Sequence, residues 1–380
     1  MGPLYVNKDM PNILRNSCVL TNDNSLKEIF CFKKIPIHMG CFDSLNNQTD
    51  IYEDMSIVVS TTSKNIQLLN LIDPNVLYSQ SHNAGEVGGL WKEHHEKFYK
   101  FIDKNKHSNV LEIGGASGSL LKLFLKSDNN IEWHIIEPYA HLPLVDPRVT
   151  VVNAFFEKHN FVKQYDTIVH SHVLEHVYDP ISFLIKVNNT LTDNGLHYIT
   201  VPNMKHWLEN GYVNTLMFEH TYYIDEKVLS YLLDKTGFEV VEKVIEEHSI
   251  FFCCKKNKNI VASLPDLSYV EPLYKKFINN LVADIDQIKE QIKGKQVYLF
   301  GAHIFSQILI NLGIEEDQII SILDNSVQKQ GKRLYGTNLK VESPLVLQGK
   351  SNPIVVVRSG AYTSEIKKSL ITVNNSIKII

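Results

Sequence analysis

The rhythm of apolar and polar positions changes several times along the chain, and the changes divide it. Through residues 1–75 the apolar runs are short and irregular, as in Ile29-Phe30-Cys31-Phe32 and Ile57-Val58-Val59, and they predict a small β-rich unit. A polar stretch over 78–95, with glycines, histidines and Tyr78, reads either as a linker or as a flap over a site downstream. It runs into an amphipathic helix over 91–102, where Trp91, His94, His95 and Phe98 recur at helical spacings. From Asn109 the alternation becomes regular. Strands are predicted at 110–113, 131–137, 149–152, 165–169 and 196–201, with the last two beginning near Phe238 and Phe251. Helices fall at 119–126, 181–191 and 225–236, and residues 204–218 read as a loop. Seven strands with helices between them predict a doubly wound α/β domain over 76–257. After a basic break at 255–259, Tyr274, Phe277, Leu281, Ile285 and Ile288 mark one face of a long helix over 268–293. A second strand, glycine turn and helix then begins at Gln296, so residues 258–380 predict a further α/β domain.

Two turns stand out within this pattern. In the first, the buried run Val110-Leu111-Glu112-Ile113 passes through Gly114-Gly115-Ala116-Ser117-Gly118 into the apolar helical positions Leu120, Leu121, Leu123 and Phe124. Glycine belongs there because the backbone must turn tightly and a ligand must approach with no Cβ in the way. The next strand ends in Glu137-Pro138, where a carboxylate is placed to accept both hydroxyls of an adenosine ribose. Asn153-Ala154-Phe155-Phe156 follows the third strand, with one aromatic ring expected over an adenine and the other in the core. In the second turn, Phe300 leads into Gly301-Ala302-His303, and the strand after it ends in Asp324-Asn325.

Composition narrows the classes. The chain has 380 residues, 44% hydrophobic and 21% charged, with 38 Lys+Arg against 42 Asp+Glu for a net charge of -4. That balance offers no basic footprint for nucleic acid and no polybasic membrane patch. No apolar run reaches the ~18 residues of a membrane span, and the start lacks a signal-peptide core, so a cytoplasmic protein is expected. Five scattered cysteines make no disulfide framework, and Cys18, Cys31 and Cys41 have no C-x-x-C spacing. A monomer or small homo-oligomer acting on a small molecule is the expected state.

Candidate chemistry gathers after the fourth strand, where His170-Ser171-His172-Val173-Leu174-Glu175-His176 sits at the carboxyl edge of the sheet. His172 and His176 are spaced to share a helical face, yet the H-E-x-x-H order is absent and no metal is expected. Glu219-His220-Thr221-Tyr222-Tyr223 follows the aromatic loop.

These residues resemble class I S-adenosylmethionine-dependent methyltransferases: E-x-G-x-x-x-G at Glu112, Gly114 and Gly118, Glu137 ending strand two, Asn153-Ala154-Phe155, and His172-Val173-Leu174-Glu175-His176 after strand four. The whole chain resembles the three-domain sugar methyltransferases typified by C-methyltransferases of nucleotide-linked keto-deoxysugars. The further matches are Glu219-His220, Phe300–Ile314, Asp324-Asn325 and Lys329-Gln330-Gly331-Lys332. The resemblance implies a central seven-stranded Rossmann-like domain flanked by a small N-terminal β-rich domain and a second Rossmann-like domain. It implies S-adenosylmethionine as cofactor, held by Glu112, Gly114, Gly115, Ala116, Gly118, Glu137, Pro138, Asn153, Ala154, Phe155 and His172. It also implies His220 as base, oriented by Glu219, with His176 and Tyr78 stabilising an oxyanion. On the acceptor side it points to His82, Asn203, Tyr222, Gly301, Ala302, His303, Asp324 and Lys329, and the turn Gly301–Ser306 reads either as a seat for the acceptor's pyrophosphate or as a structural remnant packed beside the catalytic domain. The family's zinc-binding cysteine pairs align with Cys18-Val19-Leu20-Thr21 and Ser60-Thr61-Thr62-Ser63, so three of four thiolates are missing and zinc is not expected. Three functions follow: C-methylation of a sugar beside a keto group, O-methylation of a sugar hydroxyl, or nucleotide-sugar binding without catalysis. Retention of Glu112, Gly114, Gly118, Glu137, Glu219 and His220 together argues against the third.

Overall fold

A computed structural model describes residues 13–44, 46–78, 89–105, 107–115, 117–127, 131–140, 142 and 146–380. The front of the chain forms β1 (Ile13–Leu14), β2 (Leu26–Pro36), β3 (Cys41–Phe42), β4 (Tyr52–Ser60), β5 (Ile66–Leu68), β6 (Asn70–Leu71) and the one-turn helix α1 (Pro74–Leu77). Strands β2, β4 and β5 make an antiparallel sheet, and β1 pairs with β6. At the positions of the family's cysteine pairs, the Cys18 thiol lies 3.1 Å from Ser63 Oγ and Ser25 Oγ lies 3.2 Å from Ser60 Oγ. Hydroxyl and thiol hydrogen bonds thus zip the two loops together.

The middle of the chain contributes α2 (Gly89–Ile102), β7 (Asn109–Ile113), α3 (Ser119–Ser127), β8 (Glu132–Ile136), β9 (Val149–Val152), β10 (Tyr165–Ser171), α4 (Pro180–Thr190), β11 (Leu191–Pro202), α5 (Met204–Glu209), α6 (Glu226–Lys235), β12 (Phe238–Ile245) and β13 (Ser249–Lys256). Their sheet runs β12-β13-β11-β10-β7-β8-β9, parallel except for β13, which is antiparallel to both neighbours. Strand β7 lies near its centre and is buried on both faces, in keeping with Val110, Leu111 and Ile113, and it takes the Glu112 carboxylate into the interior with them. The chain leaves β7 on one side for β8 and β9 and on the other for β10, so a crevice opens between the carboxyl ends of β7 and β10. Where the sequence reads as a loop, α5 forms instead. Asn203 caps it by accepting from His206 N–H at 3.2 Å, and Met204, Trp207 and Leu208 bury one face.

The last third holds α7 (Val270–Ile292), β14 (Val297–Phe300), α8 (Ile304–Asn311), β15 (Ile319–Leu323), β16 (Arg333–Leu334), β17 (Val341–Glu342), β18 (Ile354–Val357), α9 (Thr363–Val373) and β19 (Lys378–Ile379). Its parallel sheet runs β17-β15-β14-β18-β19, with a second crevice between β14 and β18. The front of the chain is woven into both larger parts. β3 pairs with β16, where buried Arg333 grips Asp50 through Nη1 at 2.6 Å and Nη2 at 2.8 Å. On the other side, Leu68 N–H donates to Thr221 O and Tyr223 N–H to Ile66 O, so 221–223 extends the sheet at β5. One apolar core runs through all three parts.

Candidate functional site

Both crevices open into one cavity of about 1030 Å³. Its walls include Met39 and Tyr78 from the front, Gly114, Gly115, Glu137, Pro138, Phe155, His172, His176, Glu219 and His220 from the middle, and Gly301, His303, Asp324, Lys329 and Ser359 from the last third. A volume of that order suits two small molecules lying side by side.

The floor is the first glycine turn. Gly114 has φ +75°, and a Cβ there would lie 2.5 Å from Val173 Cγ2. A Cβ on Gly115 would lie 2.8 Å from Ile135 Cγ2 and 3.1 Å from the Glu112 carboxyl carbon. Gly118 also has φ +70°. Behind the turn the buried carboxylate of Glu112 accepts from Trp133 Nε1–H at 2.7 Å. Glu137 faces the cavity from the end of β8, and the ring of Phe155 lines it while Phe156 is also buried in the core. Phe156 lines the cavity as well, whereas Asn153 is exposed and Ala154 packs against the core, outside the wall. Ala116 and His82 lie outside the described residues.

Over this floor stand the histidines. His172 has φ +52°, and residues 174–176 form a single 3-10 turn, so His172 and His176 do not share a helical face. They approach the wholly buried Glu175 through different ring nitrogens: His172 Nδ1 at 3.3 Å and His176 Nε2 at 3.6 Å from Oε1. Burial opposes the charge on Glu175, but the flanking imidazoles outweigh it and draw its pKa below the usual range. On its other side His172 Nε2 lies 2.8 Å from Ser249 Oγ. Ser249 also lies 2.6 Å from His248 Nδ1 and 3.2 Å from His94 Nδ1, so its one hydroxyl is the hub of three imidazoles. On the other side of Glu175, the Tyr78 hydroxyl lies 3.1 Å from His176 Nδ1, and Glu219 Oε2 lies 3.7 Å from the same nitrogen. Burial, then the charge of Glu219, raises the Tyr78 phenol far above its ordinary value, so Tyr78 is the donor in that contact.

His220 completes the group, its ring 5.3 Å from that of His176, centroid to centroid. Ligand atoms of Glu175, His176 and His220 all fall within 4.8 Å of one another. Burial first, and then His176, pushes the His220 pKa down to about 4, so its imidazole is neutral near pH 7. Its Nδ1 is buried with no hydrogen-bond partner among the described residues.

The second glycine turn is tied into its own domain. Gly301 has φ +106° and sits against Ser359 Oγ. Ala302 N–H donates to Asp324 Oδ2 at 2.9 Å, and Lys329 Nζ lies 3.2 Å from the same oxygen. The N–H groups of Gly301, His303 and Ser306 also have partners within the chain. The Asp324 carboxylate thus takes the Ala302 N–H of the turn. Ala302 is wholly buried, as is Tyr222, whose hydroxyl donates to Leu174 O at 2.9 Å. Asn203 caps α5 and donates to Glu246 O, so none of these three is part of the cavity wall. Residues that sequence reasoning passed over include Ser359, Tyr362 and Glu365 in the wall, and Trp133 and Ser249 behind it. Ser359 Oγ is buried with no partner among the described residues. No periodicity or motif marks these positions, because they come from strand ends and turns remote in sequence.

Comparison with known proteins agrees with this architecture. Residues 86–243 match the family model of a methyltransferase domain, and residues 271–376 match that of a C-methyltransferase C-terminal domain. The chain is 22% identical to C-methyltransferase NovU of Streptomyces niveus, over 94% of this chain and 93% of that protein. Among solved structures, 1,6-didemethyltoxoflavin-N1-methyltransferase of Burkholderia thailandensis is 13% identical with a TM-score of 0.40, covering 51% of this chain and 96% of that one. The glycopeptide N-methyltransferase MtfA is 12% identical with a TM-score of 0.35, covering 43% and 93%. The two family models lie in order on one chain, and the first spans the glycine turn, the strand-end acid and the histidine cluster. The protein is a class I S-adenosylmethionine-dependent methyltransferase.

Proposed function

We propose that the protein methylates a carbon beside a keto group of a nucleotide-linked sugar, with His220 as the base. The observation that carries this reading is a buried, neutral imidazole in the cavity wall next to Glu219 and His176. Neutral imidazole is the form that accepts a proton. The matched relative is named a C-methyltransferase, and so is the family of the C-terminal model.

The residues fit the cofactor. Gly114 and Gly115 leave a floor that a Cβ would fill, and Glu137 at a strand end suits ribose hydroxyls. Phe155 offers a face to adenine, and the acidic floor suits a cation. S-adenosylmethionine, when bound, supplies an electrophilic methyl group. The chain's own task is to hold the acceptor in line and to move one proton. His220 takes the proton from the carbon, leaving the electron pair as an enolate. The negative oxygen of that enolate takes the place of His176 Nδ1 as acceptor of the Tyr78 hydroxyl. Carboxylates of Glu219 and Glu365, with the Ser359 hydroxyl that has no partner among the described residues, suit recognition of a polyol.

Labelled cofactor and a panel of nucleotide-linked keto-deoxysugars test the proposal, with the methyl located by carbon NMR. A methyl on carbon, lost in His220→Ala, supports it; a methyl on oxygen overturns it.

A further inference from the structure

The front of the chain reaches the reaction centre through one buried cation. Arg15 follows β1, is 8% exposed, and has its backbone N–H on Leu69 O at 2.8 Å. Its Nη1 donates to Thr221 O at 2.9 Å and its Nη2 to Tyr178 O at 2.9 Å, with Thr221 Oγ1 at 3.4 Å. Its partners are thus two main-chain carbonyls and a hydroxyl; no carboxylate forms an ion pair with it among the described residues. A buried guanidinium spent on carbonyls is costly unless it fixes something.

The carbonyls belong to the two turns that carry the reacting side chains. Tyr178 is two residues beyond His176, and Thr221 directly follows His220. The same turns are tied by Thr221 N–H to Glu175 O at 3.0 Å, by Thr221 Oγ1–H to Val177 O at 3.1 Å and by Tyr222 O–H to Leu174 O at 2.9 Å. Thr221 O also accepts from Leu68 N–H at 2.9 Å, so both Arg15 and β5 converge on it. Guanidinium geometry suits the task, since its planar fork holds two acceptors at a set angle, which an ammonium does not.

We propose that Arg15 is a positioning residue: it clamps the Glu175–His176 turn to the Glu219–His220 turn and sets the spacing between the two histidines. The proposal rests on the assignment of His220 and His176 to the reaction. It also gives the N-terminal part of the chain a role that needs no metal. Thr221 lies next to the base, so loss of the clamp displaces that base without touching the cofactor floor.

The test uses the full chain as Arg15→Ala and Arg15→Lys, with S-adenosylhomocysteine as the binding probe and whichever sugar of the panel the wild type methylates. Arg15→Ala is expected to lose kcat on the order of 10- to 100-fold, the scale of a misplacement of about 1 Å. Binding of the probe should stay within about twofold by the same reasoning, since the floor is intact. Millimolar guanidinium should restore kcat in Arg15→Ala, whereas equal sodium chloride should not, and Arg15→Lys should recover only part. Imidazole NMR gives a readout independent of any acceptor: in Arg15→Ala the resonances of His176 and His220 should shift while that of His107 stays. Unchanged kcat and unchanged resonances would overturn the clamp. So would parallel losses of probe binding, melting temperature and kcat without guanidinium rescue, which describe a fold defect. If instead His220→Ala remains fully active while Arg15→Ala shifts both imidazoles, the base assignment fails and the clamp stands.

Discussion

The hydroxyl of Tyr78 lies 3.1 Å from Nδ1 of His176, a contact made across 98 positions of chain. It joins the front of the molecule to the turn after β10. Because burial keeps the phenol protonated, the contact fixes the His176 tautomer with its proton on Nε2, facing Glu175. Tyr78→Phe removes that donor and keeps the ring. The expected outcome is a fall in kcat of roughly tenfold, within the range for a single acid–base or donor group, with cofactor affinity unchanged. Steady-state kinetics beside calorimetry of cofactor binding checks it, and an unchanged kcat would take Tyr78 out of the chemistry.

Gly114 tests the cofactor floor. Alanine there adopts φ +75° and thrusts a Cβ to 2.5 Å from Val173 Cγ2. The left-handed backbone alone costs about 1–2 kcal/mol, so Gly114→Ala should melt several degrees lower. It should also bind S-adenosylhomocysteine at least tenfold more weakly, by the ~1.4 kcal/mol per decade of affinity. Wild-type affinity in a folded variant would move the cofactor elsewhere.

Trp133 and Glu112 separate stability from binding. Trp133→Phe strips the donor from a carboxylate that is 5% exposed. Losing one hydrogen bond to a buried charged group costs about 1–3 kcal/mol. Replacing both partners, as Trp133→Phe with Glu112→Met, should restore most of the melting temperature yet leave the affinity for S-adenosylhomocysteine low. Denaturant titration and calorimetry on the single and double variants read the two effects independently; recovery of both together would make Glu112 a purely structural group.

Acid sensitivity follows from the buried histidines. Burial lowers His170 and His248 to about 3 and His220 to about 4, and it lowers His94 and His197 well below the ordinary value. In each case the folded pKa lies under the unfolded value near 6.5, so between the two the unfolded chain binds more protons. The stability these groups contribute is complete above about pH 6.5 and falls as the solution is acidified toward about pH 4. Glu175, with its lowered pKa, adds loss in the same direction at still lower pH. Melting temperature measured from pH 4.5 to 8 should climb steeply and then level near neutrality. A curve flat across pH 4.5–6.5 would mean that these imidazoles are not buried as described.

Much of the fold was legible because burial writes itself into periodicity. The largely apolar run of β7, the turn at Gly114 and the long face of α7 each follow from local chemistry, and the structure has them within a residue or two of the expected positions. Helix α5 was not legible, since six residues are too short for a period to emerge and its stop and start depend on Asn203 and on the core it covers. Assignments on the acceptor side fared unevenly for a related reason. Gly301, His303, Asp324 and Lys329 do face the cavity, whereas Tyr222 and Asn203 turn their polar atoms to main-chain carbonyls and an amide instead.

The sequence by itself determined the strand-and-turn order, the positions that need glycine, and the residue types that suit a cationic cofactor and a neutral base. Those are properties of short stretches, where hydropathy, Cβ volume and intrinsic acidity act directly. Only the tertiary structure decided that Asp324 takes the Ala302 N–H of the second glycine turn, that Glu175 stands between two imidazoles, and that Arg15 holds their turns together. Each of these depends on hydrogen-bond partners brought together from distant positions. For a polar group taken out of water, the choice among such partners is made by packing, which no local pattern records.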